Sequence, residues 1–365
     1  MCFFAQPLTA NKQITMIRIA MNCLLLKYSI ELFTFGSFSI IITDMKILIL
    51  GGHGFIGCHT SNLLKTQGHE VAVVDCYHQY YTFPDKEYFP VLEIRKQHAN
   101  NDKTFVGRIE DEMFMTGVFQ EFKPDVVVHL ATYPNAKMVA RNIADATGNM
   151  ITATAITLGL CVKFKVSRIV FASSSMAYGE FNGKVPDETV VCNPNTLYGS
   201  YKHQGERMCQ IWNREHGLEY VIMRPSALYG TRDMITRVIS QLTNSVLKTG
   251  GMTVQGPDNK LDFSHVTDVA DAFARASTMR QAGNQIFNCT RGNGRKILEA
   301  AELVQKTLGK GEISIKAHDP FYPNRDTLNS DKLKQMLGWD PKIDIEQGIP
   351  EYVNWFLEQP YYNEK

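Results

Sequence analysis

The sequence predicts a doubly wound α/β fold, with helices on both faces of a parallel sheet and a smaller lobe towards the C-terminus. Short apolar runs, of the kind found in strands buried on both faces, alternate with helical stretches, and this alternation is typical of parallel sheets. A glycine-rich turn follows the first of these runs, and a polar cluster follows a later one. The chain has 365 residues, of which 44% are hydrophobic, so it can bury a full core.

The first predicted strand, Met45–Leu50, leads directly into the turn Gly51-Gly-His-Gly54-Phe-Ile-Gly57, and a helix is predicted from about Cys58 to Thr66. In such a turn one glycine permits the tight bend, the next lets the backbone approach a pyrophosphate, and the third lets helix and strand pack closely. The start of the helix offers N–H groups and the positive end of its dipole to the phosphates. Because a strand precedes the glycines and a helix follows them, the pattern indicates a dinucleotide site of the Rossmann type.

A second strand, Val71–Val74, ends at Asp75, which lies 24 residues after Gly51. At about this distance an acidic side chain is expected to accept hydrogen bonds from the adenosine ribose. A carboxylate attracts the ribose hydroxyls and repels a 2′-phosphate, so Asp75 favours NAD over NADP. The alternative interpretation is an ordinary solvated aspartate at the end of a strand.

Two further strands are predicted, Pro124–Ala131 and Ser167–Ala172, with a helical stretch around Asn149 to Val162 between them. In a doubly wound sheet the ligand lies across the carboxyl ends of the strands, so reacting groups are expected directly after a strand. The serines at positions 173 to 175 follow the second of these two strands. They predict a hydroxyl group at the reacting edge of the sheet.

Tyr198 and Lys202 form a Tyr-x-x-x-Lys pair at the start of a predicted helix, with Glu206 one turn further on. Positions i and i+4 share a helix face, so the phenol and the ammonium point into the same space. A cation beside a phenol stabilises the phenolate, and the positive nicotinamide of NAD would add to this effect. The pKa of Tyr198 is therefore expected to fall from about 10 towards neutral, which suits a general base. A surface helix with an aromatic residue and a lysine is the alternative.

The charges of the chain nearly cancel, with 38 basic and 37 acidic residues, so it has no electrostatic footprint for nucleic acid. The eight cysteines include no Cys-x-x-Cys pair, which argues against a zinc site or a disulfide framework and fits a reducing cytoplasm. No metal site is therefore expected, and the predicted location is the cytoplasm.

Residues 1–44 do not share the pattern that follows them. Arg18, Lys27 and Glu31 interrupt their apolar patches before any patch reaches membrane-spanning length. No Ala-x-Ala cleavage site of a signal peptide follows, and no membrane partner is expected. Translation is predicted to begin at Met45, and the alternative is a loosely held N-terminal extension.

Several motifs, taken in their order along the chain, resemble those of the extended short-chain dehydrogenases/reductases. The likeness is greatest to UDP-galactose 4-epimerase and related nucleotide-sugar epimerases and dehydratases, and it covers about residues 45–360. The motifs that carry it are the glycine turn, His129-Leu-Ala-Thr132, Ser173-Ser-Ser-x-x-Tyr-Gly179, Tyr198-Gly-Ser-Tyr-Lys-x-x-x-Glu206, Arg224-Pro-Ser-Ala-Leu-Tyr-Gly230, Asp262-Phe-Ser-His-Val-Thr-Asp-Val-Ala270 and Leu337-Gly-Trp-Asp-Pro341.

The resemblance implies a role for each matching position, with NAD as the cofactor. Ser174 is the catalytic serine, Tyr198 is the base, and Lys202 holds the nicotinamide ribose and lowers the pKa of the tyrosine. The family is generally dimeric and pairs two helices of each subunit, one of which carries the tyrosine, so a homodimer is expected. The positions implied to bind the cofactor are Gly51, Gly54, Phe55, Ile56, Gly57, Asp75, Leu130, Ala131, Thr132, Asn149, Ser173, Tyr198, Lys202 and Pro225.

Three positions depart from the pattern of the family. Arg108 stands where the adenine pocket often has an aspartate, Ala227 replaces the usual asparagine, and Leu261 replaces the usual arginine before Asp-Phe. The last two of these family residues often contact the diphosphate of the substrate, so its handling is expected to differ in this chain. The basic residues that are candidates to take over are Lys260, Arg232, Arg237 and Arg325.

The resemblance implies a NAD-dependent nucleotide-sugar epimerase, which oxidises a sugar carbon, commonly C4, and reduces it again from the other face. Dehydratases of the family usually follow the catalytic residue with an Asp-Glu pair, whereas Ser174 is followed by Ser175 and Met176, so elimination of water is disfavoured. A nucleotide-sugar dehydrogenase or ketoreductase with net redox is the second hypothesis, and a non-catalytic NAD-binding scaffold is the third.

The motifs also predict how the chain is divided. A Rossmann domain is expected at residues 45–230, with a return segment at about 262–290. The remainder, residues 231–365, is expected to form mainly a substrate-binding lobe.

Overall fold

A parallel sheet of seven strands forms the centre of the chain in the computed structural model, which describes residues 44–79, 85–233 and 237–359. Numbered along the chain, the strands of the described residues are β1 Lys46–Leu50, β2 Glu70–Asp75, β3 Lys103–Val106, β4 Val126–His129, β5 Arg168–Ala172, β6 Glu219–Pro225, β7 Ala227–Tyr229, β8 Gly251–Gln255, β9 Lys260–His265, β10 Gln285–Cys289, β11 Gly294–Lys296 and β12 Glu312–Lys316. The order across the large sheet is β10-β6-β5-β4-β1-β2-β3, and every neighbouring pair in it is parallel. The predicted doubly wound α/β fold is confirmed.

Helices pack on both faces of this sheet. The α-helices of the described residues are α1 Phe55–Thr66, α2 Asp85–Ala99, α3 Glu112–Phe122, α4 Ala136–Arg141, α5 Ile143–Thr147, α6 Ala153–Lys163, α7 Leu197–His216, α8 Val238–Thr249, α9 Val266–Thr278, α10 Ile297–Leu308, α11 Asp331–Leu337 and α12 Ile345–Leu357. Side chains of β1 alternate between the two faces: Ile47 and Ile49 pack with α1 and α9, whereas Leu48 and Leu50 pack with α3 and α6. Because both faces are covered, the strand reads as an unbroken apolar run.

The four strands predicted from the sequence are all present, within two residues of their predicted bounds. Helix α1 begins at Phe55, three residues earlier than predicted, because Gly54 stands in extended backbone and the helix starts directly after it. The stretch predicted to be helical from Asn149 begins with a π-helical turn, Gly148–Thr152, and continues as α6.

The C-terminal part of the chain forms a smaller layer and also returns to the large sheet. Strands β11, β9 and β7 form a three-stranded sheet, and β12 pairs with β8. Helices α8, α10 and α12 pack with these strands in a separate core, which includes Tyr229, Phe263 and Tyr352. Strand β10 lies beside β6 at the edge of the large sheet, and α9 packs on the same face as α1.

Of residues 1–44, only Asp44 lies among the described residues, so the predictions about an N-terminal extension concern a segment outside them. Within the described ranges, no helix has the length and the apolar character needed to cross a membrane. The six cysteines in these ranges are free thiols.

Candidate active site

One cleft along the carboxyl ends of the parallel strands brings together all fifteen residues for which a site role is predicted. Because the sheet order includes β2-β1-β4-β5, Asp75 after β2 and the glycine turn after β1 lie towards one end of this cleft. Ser174 follows β5 and lies towards the other end, with Tyr198 and Lys202. The topology therefore joins residues that are far apart in the sequence.

The glycine turn between β1 and α1 permits a close approach of the backbone. Gly51 has φ +78°, and a Cβ atom on it would lie 2.8 Å from the backbone nitrogen of Ala131. A Cβ atom on Gly57 would lie 2.3 Å from the carbonyl oxygen of Gly51. Helix α1 begins at Phe55 without a side-chain cap, so its first N–H groups are left for a ligand. The turn is the cradle that a pyrophosphate requires.

Two backbone N–H groups hold the carboxylate of Asp75 at the end of β2. His53 donates to its Oδ2 at 3.1 Å, and Tyr77 donates to its Oδ1 at 3.0 Å. The imidazole of His53 stacks on the ring of Tyr77, with the ring centres 5.8 Å apart. A carboxylate fixed in this way is suited to accept hydrogen bonds from ribose hydroxyls, which is the role predicted for Asp75.

Two polar atoms on the wall of the cleft have no hydrogen-bond partner in the part of the chain that the structure describes. They are Oδ1 of Asn149 and Oγ1 of Thr132, and both are shielded from solvent. Asn149 lies in the π-helical turn, a geometry that is frequent at functional sites. Buried polar atoms are nearly always hydrogen-bonded, so these two atoms and the glycine cradle fit a bound NAD.

Ser174 and Tyr198 meet at the end of the cleft beside β5. The Oγ of Ser174 accepts a hydrogen bond from the N–H of Met176 at 3.2 Å, and the Ser174 hydroxyl acts to lower the pKa of the Tyr198 phenol. Tyr198 lies in the first turn of α7, which Thr196 caps by accepting the N–H of Gly199 at 3.1 Å. The cap and the strand end together present a pair of hydroxyl groups to the cleft.

Lys202 lies one turn after Tyr198 and is buried. Its Nζ donates to the carbonyl oxygen of Ala172 at 2.6 Å and lies 5.9 Å from the centre of the Tyr198 ring. Burial lowers the pKa of Lys202 to about 7, and the negative charge of Glu206 opposes this shift. The Lys202 side chain is thus anchored to the last residue of β5, near Tyr198.

The pKa of Tyr198 moves in the direction opposite to the predicted one. Burial raises this pKa, and burial outweighs the effects of the Ser174 hydroxyl and of the positive charges of Arg237 and Arg325, all of which lower it. The prediction relied on Lys202 and on the charge of NAD. For the chain itself the prediction is wrong, because the desolvation of the phenolate exceeds the attraction of the neighbouring cations.

A buried ion pair fixes α7, the helix of Tyr198 and Lys202, against the sheet. Arg224 in β6 donates to both carboxylate oxygens of Glu206, at 2.8 and 2.6 Å. The hydroxyl of Ser173 donates to the same carboxylate. The position of Glu206 one turn after Lys202 is recognisable in the sequence. Its pairing with Arg224 is not, because Arg224 lies in a separate element, strand β6.

Among the described residues, one group of side chains has its ligand atoms near enough to one another to hold a metal ion. This group is Cys192, His203 and Glu206. Both oxygens of Glu206 already accept hydrogen bonds from Arg224. Burial raises the pKa of the Cys192 thiol to about 11, so the thiol is protonated at neutral pH, whereas a metal binds the thiolate. The group therefore does not form a convincing metal site.

The four basic residues that are candidates to replace the missing diphosphate contacts have different surroundings. Lys260 is already paired with a carboxylate of its own lobe, and Arg232 donates to the hydroxyl of its neighbour in the chain. Arg237 lines the cleft. Arg325 donates to the Oγ of Ser175, the residue after Ser174, at 3.1 Å. Arg237 and Arg325 are therefore the two that lie at the site.

The fold and the cleft define a class of protein: a dinucleotide-binding α/β protein in which a serine after β5 and a tyrosine in the first turn of α7 line the cleft. The chain belongs to the NAD dependent epimerase/dehydratase family, which it matches over residues 47–290. The family is enzymatic and uses NAD, so the resemblance, the cofactor and the nucleotide-sugar class expected from the sequence are confirmed at this level.

Individual relatives cover nearly all of the described chain. The UDP-glucose 4-epimerase of Lacticaseibacillus casei is 29% identical over 344 residues, which are 87% of this chain and 98% of that protein. UDP-glucuronic acid decarboxylase 3 of Arabidopsis thaliana is 28% identical over 84% of this chain and 87% of that protein. The structure of UDP-glucose 4-epimerase from Thermus thermophilus in complex with NAD superimposes with a TM-score of 0.75 at 26% identity, over 86% of this chain and 99% of that one. The relatives thus include enzymes of more than one reaction type.

Proposed function

We propose that this protein is a NAD-dependent nucleotide-sugar epimerase that inverts C4 of the sugar through a transient keto sugar. The observation that carries the proposal is that the hydroxyls of Ser174 and Tyr198 line the same cleft as the predicted cofactor-binding residues, together with Lys202. When bound, NAD would accept a hydride from the sugar carbon and would return that hydride to either face of the keto carbon.

The side chains of the cleft divide the remaining work between them. Tyr198 takes the proton of the sugar hydroxyl and later gives it back to the keto oxygen, so one residue serves both directions. Ser174 holds that oxygen in line through its own hydroxyl. Lys202, anchored to Ala172, is placed to hold the nicotinamide ribose.

Two features support an epimerase over other members of the family. Ser175 and Met176, which follow the catalytic serine, are buried and supply neither a carboxylic acid nor a carboxylate base, so elimination of water has no acid–base pair there. The complete set of Ser174, Tyr198 and Lys202 in one cleft argues against a non-catalytic scaffold. A nucleotide-sugar dehydrogenase or ketoreductase with net redox is the second candidate. We also propose a homodimer in which α7, the helix of Tyr198, takes part in the pairing.

The test is a panel of UDP-, GDP-, dTDP- and CDP-sugars, each mixed with the purified protein and followed by NMR, with no cofactor added. An epimerase must give back the hydride that it took, so the protein should carry NAD or NADH from purification and interconvert a pair of nucleotide sugars unaided. Conversion only with stoichiometric added NAD or NADH, or with a second oxidisable substrate, would establish the dehydrogenase instead.

A further inference from the structure

The hydroxyl of Tyr201 holds the start of the π-helical turn that carries Asn149. Tyr201 lies in α7, and its hydroxyl oxygen lies 2.9 Å from the Oγ1 of Thr147. Thr147 is the last residue of α5 and directly precedes the turn Gly148–Thr152. Its Oγ1 already donates to the carbonyl oxygen of Ile143 at 2.7 Å. Because a hydroxyl group has a single hydrogen, the Oγ1 of Thr147 accepts from Tyr201, and the two bonds link α7 to the start of the turn.

The π-helical turn lies beside the reacting end of the cleft. Met150, the residue after Asn149, belongs to a small apolar cluster against which the rings of Tyr198 and Tyr201 pack. The turn comes after β4 in the chain and Ser174 comes after β5, and these two strands are neighbours in the sheet. The contact between Tyr201 and the turn therefore acts at the end of the cleft where Tyr198 lies.

The side chain that the turn presents to the cleft lacks a partner. Asn149 is 4% exposed and lines the cleft, and its Oδ1 has no hydrogen-bond partner among the described residues. An amide oxygen can only accept, so the missing partner is a donor. In a dinucleotide whose nicotinamide reaches Tyr198, the donors at this end are the hydroxyls of the second ribose and the carboxamide N–H groups. The adenosine half belongs at the other end, near Asp75.

We infer that Tyr201 is a positioning residue for the cofactor: through Thr147 it fixes the π-helical turn, so that the Oδ1 of Asn149 accepts a hydrogen bond from the nicotinamide half of NAD. Among the described residues, those that line the cleft include Tyr198 and Lys202 but not Tyr201, so Tyr201 acts through the turn. Loss of its hydroxyl should weaken the hold on the nicotinamide half and spare the adenosine half. The inference concerns the cofactor alone and does not depend on the proposed reaction of the sugar.

The test displaces bound NADH with ADP on the full chain, at a fixed concentration of NADH and with NADH fluorescence as the signal. ADP contains the adenosine half and two phosphates, but neither the second ribose nor the nicotinamide. One hydrogen bond corresponds to about 2- to 10-fold in affinity, so about 2- to 10-fold less ADP should displace NADH from Tyr201→Phe than from the unaltered chain. A variant that only loosens the fold would weaken NADH and ADP equally, and the ADP needed for displacement would then not fall in this way.

Thr147→Val breaks the same contact from its other side and should give the same shift. Because the two residues act through one hydrogen bond, the double variant should shift no further than either single variant. Tyr220→Phe is the matched control: it removes the same atom from a tyrosine near the amino end of β6, whereas the cleft lies at the carboxyl ends of the strands. It should release NADH as the unaltered chain does. An unchanged ratio of NADH to ADP affinity in Tyr201→Phe, or additive shifts in the double variant, would overturn the inference.

Discussion

In the proposed reaction, the hydroxyl of Tyr198 is the single group on which the acid–base chemistry depends. Burial holds its pKa above the usual value, while Ser174, Arg237 and Arg325 act in the other direction. A phenol in this state keeps its proton at neutral pH, so it needs a further positive charge to act as a base. The nicotinamide of NAD would supply that charge at the neighbouring position. Tyr198 is therefore expected to work as a base only in the loaded protein.

Tyr198→Phe removes only the phenolic oxygen, so packing and NAD binding should survive. General acid–base catalysis contributes about 100- to 10,000-fold, and kcat measured by NMR of the converted sugar should fall by at least that order. Ser174→Ala should cost less, because it removes a hydrogen bond that positions the substrate oxygen. Near-normal turnover in Tyr198→Phe would place the chemistry on a different residue.

At the scale of elements, the glycine turn before α1 is the part of the fold least able to accept a side chain. Gly57→Ala would place a Cβ atom 2.3 Å from the carbonyl oxygen of Gly51, and backbone cannot yield as a flexible side chain can. The variant should lose its retained NAD and about 1–3 kcal/mol of stability. Gly117→Ala in α3 is the control: a Cβ atom there meets nothing within 4 Å, so the helix should gain about 0.5–1 kcal/mol. Retained cofactor in Gly57→Ala would contradict the role of the turn.

The elements around the cofactor could be predicted from the sequence because their signals are local. The apolar run of β1, the glycines and Asp75 lie within one short stretch of the chain, so their order could be recognised from the sequence. The π-helical turn that carries Asn149 could not be predicted, because its residues look helical and only the turn geometry differs. Arg325 and Ser175 are 150 residues apart in the chain, so their contact requires the folded topology. The pKa of Tyr198 likewise depends on burial, which no motif specifies.

For the whole molecule, histidines couple stability to pH: burial lowers the pKa of six histidines among the described residues, and four of these shifts are large. Burial lowers the pKa of His59 and His129 to about 3 and that of His98 and His265 to about 4, whereas an unfolded histidine titrates near about 6.5. Between these values the unfolded chain binds more protons than the folded one, so stability is full above pH 6.5 and decreases as the pH falls towards 4. Each fully buried histidine should contribute a loss on the order of 1 kcal/mol per pH unit, visible in thermal unfolding from about pH 7.5 to about pH 5.

His98→Gln checks this coupling with little change in packing. A carbonyl can only accept, so His59 donates from Nε2 to the carbonyl oxygen of Thr231 at 3.1 Å and accepts at Nδ1 from His98 at 3.2 Å. Glutamine retains a donor for His59 and removes one titrating group. The melting temperature of the variant should therefore fall less steeply on acidification than that of the unaltered chain. An identical pH dependence would show that His98 is not held neutral in the folded state.

The most direct test of the proposed epimerisation follows the hydrogen at the inverted carbon. The purified protein is incubated with its nucleotide sugar in deuterated water, without added cofactor, and both epimers are examined by NMR and mass spectrometry. If C4 is oxidised and reduced within one cleft, the original hydrogen returns and the inverted carbon contains no solvent deuterium. Deuterium at that carbon would instead mean that inversion proceeds by exchange of a proton with water, and the redox account of this site would be contradicted.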